Sequence, residues 1–571
     1  MQFTDKSGFS HHLQPQARFL IGLYGTADVA DSEKPETSEN FDVVNEEDNE
    51  GVDDVDSCRG AAFDEIEKAR FLVGCQSVRP NGSRFRVPFS LFTPTQVHLV
   101  TLEEHNSPQG AVLTSQSFIH AGGEVLALAA FPAAPRIFAS IYSSSKQKYT
   151  FYYKDFSSCF IVISPSRTEC ITGARIWRVP SASADNPGAN LDRTEAGHLE
   201  CLCDLPLSDY SVVRRLTASP SETSADLACI LGPPKPGCPW TSPSASFLGI
   251  LRAPTGNLGT GEYVLESTIQ LGIPTVDNYV SLAEESLTDA VPTTLTAAAA
   301  ADNACAVNLS SPVNAVRWSP HRKACTVAVA CDSGVLGVDL RSMRSCFWLD
   351  DIHWPCVRDL DFNPNRDHVL ATAGDDGCVK VWDLRQVSSS KASDLNSRRT
   401  IAAGPLREPF SFRNFGSGRP RGPQPLVTLS SHSHWVWSVR YHPTRDQLLV
   451  SAGSDSYVCL YGLPSYSSDV KEFPPLSTNR IAARSSSGLT TNLDDFEGAS
   501  VTTYSSTVSD KLQDGLLAKV DQHEECVYAV DWSPVDTWVF ASVNYDGTLL
   551  VNRVPDSVKL GILLHEEEEE E

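Results

Sequence analysis

The sequence predicts an all-β protein assembled from repeated units of short strands. Apolar and polar residues alternate over runs of about 4–8 residues that end in Pro, Asp or Gly turns. One such pattern recurs along the chain, and long polar stretches separate its copies. The chain has 571 residues, 41% of them hydrophobic, which is enough for a large folded core.

The clearest copy of the repeat is "DIHWPCVRDLDFNPNRDHVLATAGDDGCVKVWDLR", in which a His, three strands and two turns lead to Trp382-Asp383. Two later copies begin at His432 and His523. In every copy the turn Asp lies 23 residues after the His, from 353 to 376, from 432 to 455 and from 523 to 546. Six further residues lead from that Asp to the position of Trp382. Constant internal spacing with variable gaps between copies indicates a repeated supersecondary unit.

This pattern resembles the WD-repeat family, in which each repeat forms a four-stranded blade of a β-propeller. The resemblance implies a buried tetrad in each blade: a His, a strand Ser or Thr, the turn Asp and the Trp. Carried over by position, the tetrads are His353, Thr372, Asp376 and Trp382; His432, Ser451, Asp455 and Tyr461; and His523, Ser542 and Asp546 with Asn552 at the Trp position. The chemistry is reasonable, because a buried Asp is costly unless it accepts hydrogen bonds.

A fourth, weaker copy lies 44 residues before the first and places Asp332 at the turn. Leu309 and Ala328 replace its His and Thr, so this blade should lack part of the polar network. Residues 67–272 hold further strand-like segments, including "ARFLVGCQSVR", "EVLALAAF" and "GARIWRVP". Three degenerate blades in that region bring the total to seven.

The predicted fold is therefore a seven-bladed WD40-type β-propeller with disordered acidic and low-complexity inserts. A strand around Ala17 to Leu23, in the N-terminal segment, is expected to complete the last blade. The predicted divisions are the N-terminal segment 1–26, the acidic insert 27–66, blades one to three in 67–272, an Ala/Thr-rich linker 273–308, blade four 309–346, blade five 347–387, an insert 388–424, blade six 425–463, an insert 464–515, blade seven 516–564 and an acidic tail 565–571.

The net charge of −25 is concentrated in two segments. Residues 31–56 hold twelve acidic residues against Lys34, giving −11, and Glu566 to Glu571 add −6, so together they account for −17. Both runs are predicted to be solvated and disordered, because like charges repel and few apolar residues are present. The rest of the chain is mildly acidic, which argues against nucleic-acid binding through a basic surface.

No catalytic, cofactor or metal motif stands out. The recurring His, Ser and Asp suggest a hydrolytic triad, but a constellation repeated in three copies is better explained as scaffold. The sequence has no Walker-type loop, G-x-S-x-G elbow or HExxH helix, and its sixteen cysteines include no CxxC pair. No apolar run reaches the length of a membrane span. We therefore predict a cytoplasmic, non-enzymatic protein with reduced thiols and no cofactor or metal.

A narrower resemblance is to the WD-repeat proteins that interact with the EARP and GARP tethering complexes. It lies in the phrases "RFLVGCQSVR", "HSHWVWSVRY", "DQLLVSAGSDS" and "VYAVDWSPVDTWVFASVNYDGTLLVNRVP", and it is poor in 181–308. It implies a partner of EARP and GARP that supports their membrane recruitment in endocytic recycling and in retrograde transport to the trans-Golgi network. It also implies a monomer outside the complex, peripheral at endosomes and the trans-Golgi network, with indirect membrane association. A ubiquitin-ligase substrate receptor and a chromatin-associated reader are the open alternatives.

Six residues are predicted to bind the partner. In WD-repeat proteins the residues beside the first strand's leading Val, and the one before the turn Asp, commonly line the narrow top face. Here these residues are Arg358, Asp375, Trp435, Trp437, Tyr528 and Tyr545. Strand alternation puts 435 and 437 on the same side of Val436. The alternatives are that both Trp residues pack between blades and that Arg358 pairs with Asp359 or Asp361.

Overall fold

The computed structural model describes residues 9–13, 17–24, 68–75, 95–104, 111–146, 149–152, 162–165, 169–180, 197–235, 245–254, 262–273, 307–308, 313–321, 324–388, 423–470 and 513–570. The predicted acidic insert 27–66 lies outside these residues, as do most of the linker 273–308 and of the inserts 388–424 and 464–515.

The degenerate N-terminal part of the chain forms strands of alternating apolar residues, as its pattern predicts. These strands are β1 (Phe9–His12), β2 (Ala17–Gly22), β3 (Lys68–Cys75), β4 (Gln96–Glu104), β5 (Ala111–Ile119), β6 (Glu124–Phe131), β7 (Ala134–Lys146), β8 (Tyr149–Tyr152), β9 (Val162–Pro165), β10 (Glu169–Arg178), β11 (Gly197–His198), β12 (Glu200–Asp204), β13 (Val213–Ala218), β14 (Leu227–Leu231), β15 (Phe247–Arg252), β16 (Val264–Gln270), β17 (Gly272–Ile273) and β18 (Val307–Asn308).

The C-terminal repeats contribute more regular strands, most of them five or six residues long, and two helices. The elements are β19 (Val313–Trp318), β20 (Thr326–Cys331), β21 (Gly334–Asp339), β22 (Arg344–Leu349), β23 (Val357–Phe362), β24 (Val369–Gly374), β25 (Val379–Asp383), α1 (Leu384–Ser388), β26 (Val427–Leu429), β27 (Val436–Tyr441), β28 (Leu448–Gly453), β29 (Val458–Gly462), a 3-10 turn (Pro464–Tyr466), β30 (Gly515–Val520), β31 (Val527–Trp532), β32 (Val539–Asn544), β33 (Thr548–Arg553) and α2 (Asp556–Glu570).

Among the described residues these strands form seven sheets of four or five strands, which are the blades of a propeller, and two small two-stranded sheets, β8-β9 and β17-β18. From the inside outward the blades are β2-β3-β4-β5 with β11 added in parallel, β6-β7-β10-β12, β13-β14-β15-β16, β19-β20-β21-β22, β23-β24-β25-β26, β27-β28-β29-β30 and β31-β32-β33-β1. The innermost strand of each blade contacts that of the next, and β31 contacts β2 to close the ring. The prediction of a seven-bladed β-propeller is thus confirmed.

The N-terminal strand that completes the last blade differs from the one predicted. Strand β1 pairs with β33, from Phe9 opposite Val551 to His12 opposite Thr548. The predicted strand, β2, is instead the innermost strand of blade one and pairs with β3. The reason is burial: an innermost strand lies between two neighbouring blades and suits "ARFLIG", whereas an edge position needs mainly backbone hydrogen bonds.

The blades of the structure are offset by one strand from the repeats of the sequence. The outer strand of blade five, β26, lies in the repeat that otherwise forms blade six, and β30 stands in the same relation to blades six and seven. Each repeat therefore contributes strands to two sheets. In the sequence the insert 388–424 precedes β26, and the insert 464–515 leads into β30.

The hydrophobic core lies between blades. Strands β24, β28 and β32 are buried at every residue, because a blade packs against a neighbour on each side. Between blades five and six, for example, Val369 and Ala371 belong to the same apolar cluster as Val436 and Val439. Seven such clusters surround the central channel.

The acidic C-terminal tail was predicted to be disordered, and this is wrong for residues 565–570, which continue α2. Asp556 lies in the first turn, where a carboxylate is favourable to the helix dipole. Ile562 is buried in the apolar cluster that includes Trp532 and Val554, which anchors the helix to blade seven. Glu and Leu are also good helix formers, so the helix can extend beyond that anchor.

Three features are absent from the part of the chain that the structure describes. No helix there combines the length and apolar character needed to cross a bilayer. No disulfide joins the eleven cysteines whose side chains are described, and all eleven carry free thiols. No group of three or more His, Cys, Asp or Glu side chains among the described residues is arranged to hold a metal ion.

Candidate functional site

Every innermost strand carries a β-bulge near its start, at the second residue in six blades and at the third in blade two. We call the end of the propeller where these strands begin the top face, and the opposite end the bottom face. The seven bulged residues are Arg18, Leu126, Arg214, Asn314, Arg358, Trp437 and Tyr528. A bulge redirects its side chain out of the regular alternation of the strand. The propeller thus aims one side chain per blade along the rim of its top face.

Arg358 is held at this rim by a bidentate ion pair. Its Nε and Nη2 donate to the two carboxylate oxygens of Asp375, at 2.5 and 2.8 Å. Its Cζ lies 4.7 Å from the ring centroid of Trp437 and 5.4 Å from that of Trp435. The alternative pairing of Arg358 with Asp359 or Asp361 is therefore not what the structure contains.

The aromatic residues continue the contact into the next blades. Trp437 lies 6.0 Å from Trp435, edge to face, and 5.1 Å from Tyr528 between ring centroids. Tyr528 in turn lies 6.0 Å from Tyr545. The Cζ of Arg18, from blade one, lies 5.0 Å from the Tyr528 centroid and 5.6 Å from that of Tyr545. We call these six residues, Arg358, Trp435, Trp437, Tyr528, Tyr545 and Arg18, the aromatic arc.

The arc is partly open to solvent. Trp435 is 41% exposed and Tyr545 37% exposed, whereas Trp437 and Tyr528 are half-buried. The Nε1 of Trp437 donates to Ser454 Oγ at 2.5 Å, which fixes its indole in the rim. Trp435 therefore presents a ring to the surface, while Trp437 supports it from below.

The structure brings all six residues of the predicted partner-binding set to the top face, and it adds two that were missed. Arg18 directly follows the leading residue of its strand, as Arg358 follows Val357. This shared register was the sequence signal that could have placed Arg18 on the top face. Trp354, next to the tetrad residue His353, is 71% exposed. The matching positions in blades six and seven, Ser433 and Glu524, are also exposed, so the register of the repeat was the available signal here too.

The tetrad of blade five is complete. His353 Nδ1 lies 2.7 Å from Asp376 Oδ1 and its Nε2 lies 2.7 Å from Thr372 Oγ1, which also accepts from Trp382 Nε1 at 2.9 Å. Burial lowers the pKa of His353, so the ring is neutral, with Nδ1 donating to Asp376 and Nε2 accepting from Thr372. Burial raises the pKa of Asp376, but hydrogen bonds from His353 and Lys380 and the charge of the Lys380 ammonium outweigh it and lower that pKa to about 2.

Blades six and seven carry reduced versions. In blade six His432 contacts Asp455 at 2.9 Å and Ser451 at 2.7 Å, and Ser451 Oγ donates to the Tyr461 hydroxyl at 3.4 Å. In blade seven His523 Nε2 lies 2.8 Å from Ser542 Oγ, but His523 Nδ1 has no hydrogen-bond partner among the described residues. Asp546 instead accepts from the backbone N–H of Thr548. The side chain of Asn552 is buried at the Trp position.

Blade two contains a related network that sequence reasoning missed. His120 Nε2 lies 2.9 Å from Ser140 Oγ, which accepts from Trp177 Nε1 at 2.8 Å. Ser140 and Trp177 are 37 positions apart, against 10 for Thr372 and Trp382, because a longer connection containing β8 and β9 intervenes. That connection breaks the spacing by which the other copies were recognised.

Charged side chains from several blades meet in the central channel. The Asp359 carboxylate of blade five accepts from three groups of blade six: Arg440 Nη1 at 2.5 Å, Ser438 Oγ at 3.1 Å and the Val439 N–H at 3.2 Å. At the closure of the ring, Asp531 Oδ2 of blade seven accepts from the N–H of Gly22 in blade one at 3.0 Å. These bonds connect neighbouring blades at the channel wall.

A cavity of about 290 Å³ lies at the bottom of the channel, and Arg317, Asp361, Arg440 and Asp531 are among its lining residues. Burial raises the pKa of Asp361 to about 7 and that of Asp531 to about 6, although the Arg317 guanidinium lowers both. The carboxylates in this cavity therefore titrate near neutral pH.

We expect Asp361→Asn to raise Tm relative to the parent more at pH 8 than at pH 5. The pKa of Asp361 rises from 3.8 in the unfolded chain to about 7 in the folded protein. Between these two pH values the folded protein keeps a proton on Asp361 that the unfolded chain has lost. Above pH 7 folding must bury the charge, a cost that Asn avoids while still accepting from the Tyr441 N–H. Thermal melts at the two pH values measure this difference, and equal differences would contradict it.

Comparison with known proteins agrees with this architecture. The family model described as "WD domain, G-beta repeat" matches residues 351–383, 423–462 and 515–551. These segments are the three copies with the His, hydroxyl and Asp pattern. The remaining blades of the propeller carry more divergent versions of the unit.

Three relatives illustrate the similarity along the chain. "EARP and GARP complex-interacting protein 1" of Pongo abelii is 28% identical over 513 residues, covering 88% of this chain and 94% of the relative. The protein of the same name from Homo sapiens is 28% identical over 506 residues, with the same coverage. "EARP-interacting protein 1" of Caenorhabditis elegans is 33% identical over 246 residues, covering 43% of this chain and 52% of the relative. The chain is therefore a seven-bladed β-propeller in which three segments match the WD-domain repeat, and along most of its length its sequence is similar to that of the EARP- and GARP-complex-interacting proteins.

Proposed function

We propose that this protein is a non-enzymatic scaffold that binds the EARP and GARP tethering complexes with its top face. In this role it supports their membrane recruitment in endocytic recycling and in retrograde endosome-to-Golgi transport. The names of the relatives support the choice of partner. The aromatic arc, which runs across blades five, six, seven and one, is the observation that supports the choice of surface.

The composition of the arc supports an interface. Trp, Tyr and Arg dominate binding energy at protein interfaces because they bury large areas and also offer polar contacts. Here the arc is pre-organised before binding, since Arg358 is fixed by Asp375 and Trp437 by Ser454. A partner that docks on such a rim has fewer side chains to immobilise, which lowers the entropy cost of association.

The proposed role fits a protein that is peripheral to membranes. It is cytoplasmic, monomeric outside the complex, and reaches endosomes and the trans-Golgi network through its partners. The net negative charge of the chain argues against nucleic acid as a partner.

The proposal is tested by affinity purification of the tagged protein followed by mass spectrometry. The parent is compared with a Trp435→Ala/Trp437→Ala variant whose folding is checked by a thermal melt. The expected result is that subunits of the tethering complexes copurify with the parent and are lost from the folded variant.

Two outcomes would overturn the proposal. Recovery of ubiquitin-ligase adaptors or of histones in place of tethering subunits would assign the protein to another class of propeller. Equal recovery of tethering subunits with parent and folded variant would keep the partner and reject the top face as its site.

A further inference from the structure

The two arginines of the aromatic arc differ in how their hydrogen-bond donors are used. Arg358 uses two of its donors, Nε and Nη2, in the bidentate pair with Asp375. Arg18 stacks in the same way on two rings, those of Tyr528 and Tyr545, but has no hydrogen bond or ion pair with any described residue. Its Nε is buried and without a partner among those residues.

The register of blade one explains why Arg18 lacks a carboxylate of its own. In blade five Val357 pairs with Gly374, and the next residue is Asp375. In blade one Ala17 pairs with Cys75, so the corresponding position is Gln76, which carries no charge and lies outside the described residues. The sequence thus provides Arg358 with an anion at this position and does not provide one to Arg18.

A buried guanidinium N–H without an acceptor carries a desolvation cost that an incoming acceptor removes. The two tyrosine rings hold the planar group in one orientation, so little conformational freedom remains to be lost on binding. A carboxylate is the natural partner, because its two oxygens match the guanidinium fork, as Asp375 does for Arg358. Glu525 is near Tyr528 but forms no ion pair with Arg18.

We infer that Arg18 is the receptor for an acidic side chain, Asp or Glu, of the protein segment that docks along the aromatic arc. This inference rests on the proposed function, since the segment belongs to a tethering-complex subunit. The partner thereby supplies to Arg18 the carboxylate that Asp375 supplies to Arg358. Arg18 also lies where blade one meets blade seven, so a segment bound there would lie over the closure of the ring.

The test measures the affinity of the full chain for purified tethering complex as a function of salt. Arg18→Gln is expected to weaken binding by about 10- to 100-fold. It should also flatten the salt dependence, because one ion pair is lost. Arg18→Lys keeps the charge but loses the fork and should fall between parent and Arg18→Gln. Arg341→Gln, which removes the same charge from an exposed side chain paired with Asp339, is the matched control and should bind like the parent.

The outcomes separate this inference from the proposed function. If the parent does not bind the complex, the proposed function fails first. If the parent binds and folded Arg18→Gln binds equally well with the same salt dependence, the acidic-receptor role is wrong and the proposed function stands. Phosphatase treatment of the complex is expected to leave the Arg18-dependent affinity unchanged, and its loss would show that a phosphate, not a carboxylate, occupies the site.

Discussion

Asp359→Ala is expected to lower the free energy of unfolding by about 3–5 kcal/mol. The Asp359 carboxylate is buried and accepts from Arg440, Ser438 and the Val439 N–H of the next blade. Removing it leaves the Val439 N–H and the Ser438 hydroxyl without this acceptor, and Arg440 keeps only the Val439 carbonyl and the more distant Asp531 carboxylate, at 3.9 Å, as partners. Blades five and six also lose the polar contact that joins their innermost strands.

Denaturant unfolding of parent and variant measures this loss. Asp204→Ala is the matched control, because the Asp204 carboxylate pairs with Arg175 on the surface, where an ion pair contributes about 0–1 kcal/mol. Similar destabilisation by the two substitutions would mean that the channel contact between blades is no stronger than a surface pair.

Trp435→Ala is expected to weaken binding of the tethering complex by about 2–4 kcal/mol, which corresponds to roughly 30- to 1000-fold in Kd. The indole is exposed in the aromatic arc and contacts Arg358 and Trp437. Truncation removes the largest solvent-facing surface of the arc. It leaves the buried core intact, so Tm should change little.

Titration of purified complex with parent and variant gives the ratio of Kd values. Val264→Ala offers a control, because Val264 is also a large exposed apolar side chain but lies on β16, the outer strand of blade three. A loss of affinity as large for Val264→Ala as for Trp435→Ala would place the contact on the side of the propeller.

The repeat spacing made most of the fold predictable. The distance of 23 residues from His to Asp reflects one strand, one turn and a second strand of constant length, which the structure contains in blades five to seven. The blade-two strands were predicted, but the polar network of that blade was missed because the connection between β7 and β10 separates Ser140 from Trp177. A polar network depends on distances in space, and an insertion changes the spacing in sequence without changing those distances.

The ring closure shows a second limit. An edge strand is held mainly by backbone hydrogen bonds, so the sequence "FSHH" of β1 does not mark it as the strand that completes the last blade. The apolar "ARFLIG" of β2 was predicted in its place because it looks like a strand, although it is the innermost strand of blade one. At the candidate site the six residues expected on the top face could be found by register. Arg18 was overlooked because the first blade lacks the surrounding motif that marks Arg358.

Photo-crosslinking from the top face is the most direct test of the central claim, that the aromatic arc contacts the tethering complex. A photoreactive phenylalanine in place of Tyr545 keeps an aromatic ring at an exposed position of the arc, and the same probe at Leu560 of α2 samples the opposite face. The account predicts that a tethering-complex subunit is captured from position 545 and not from position 560. Capture from position 560 alone would contradict it.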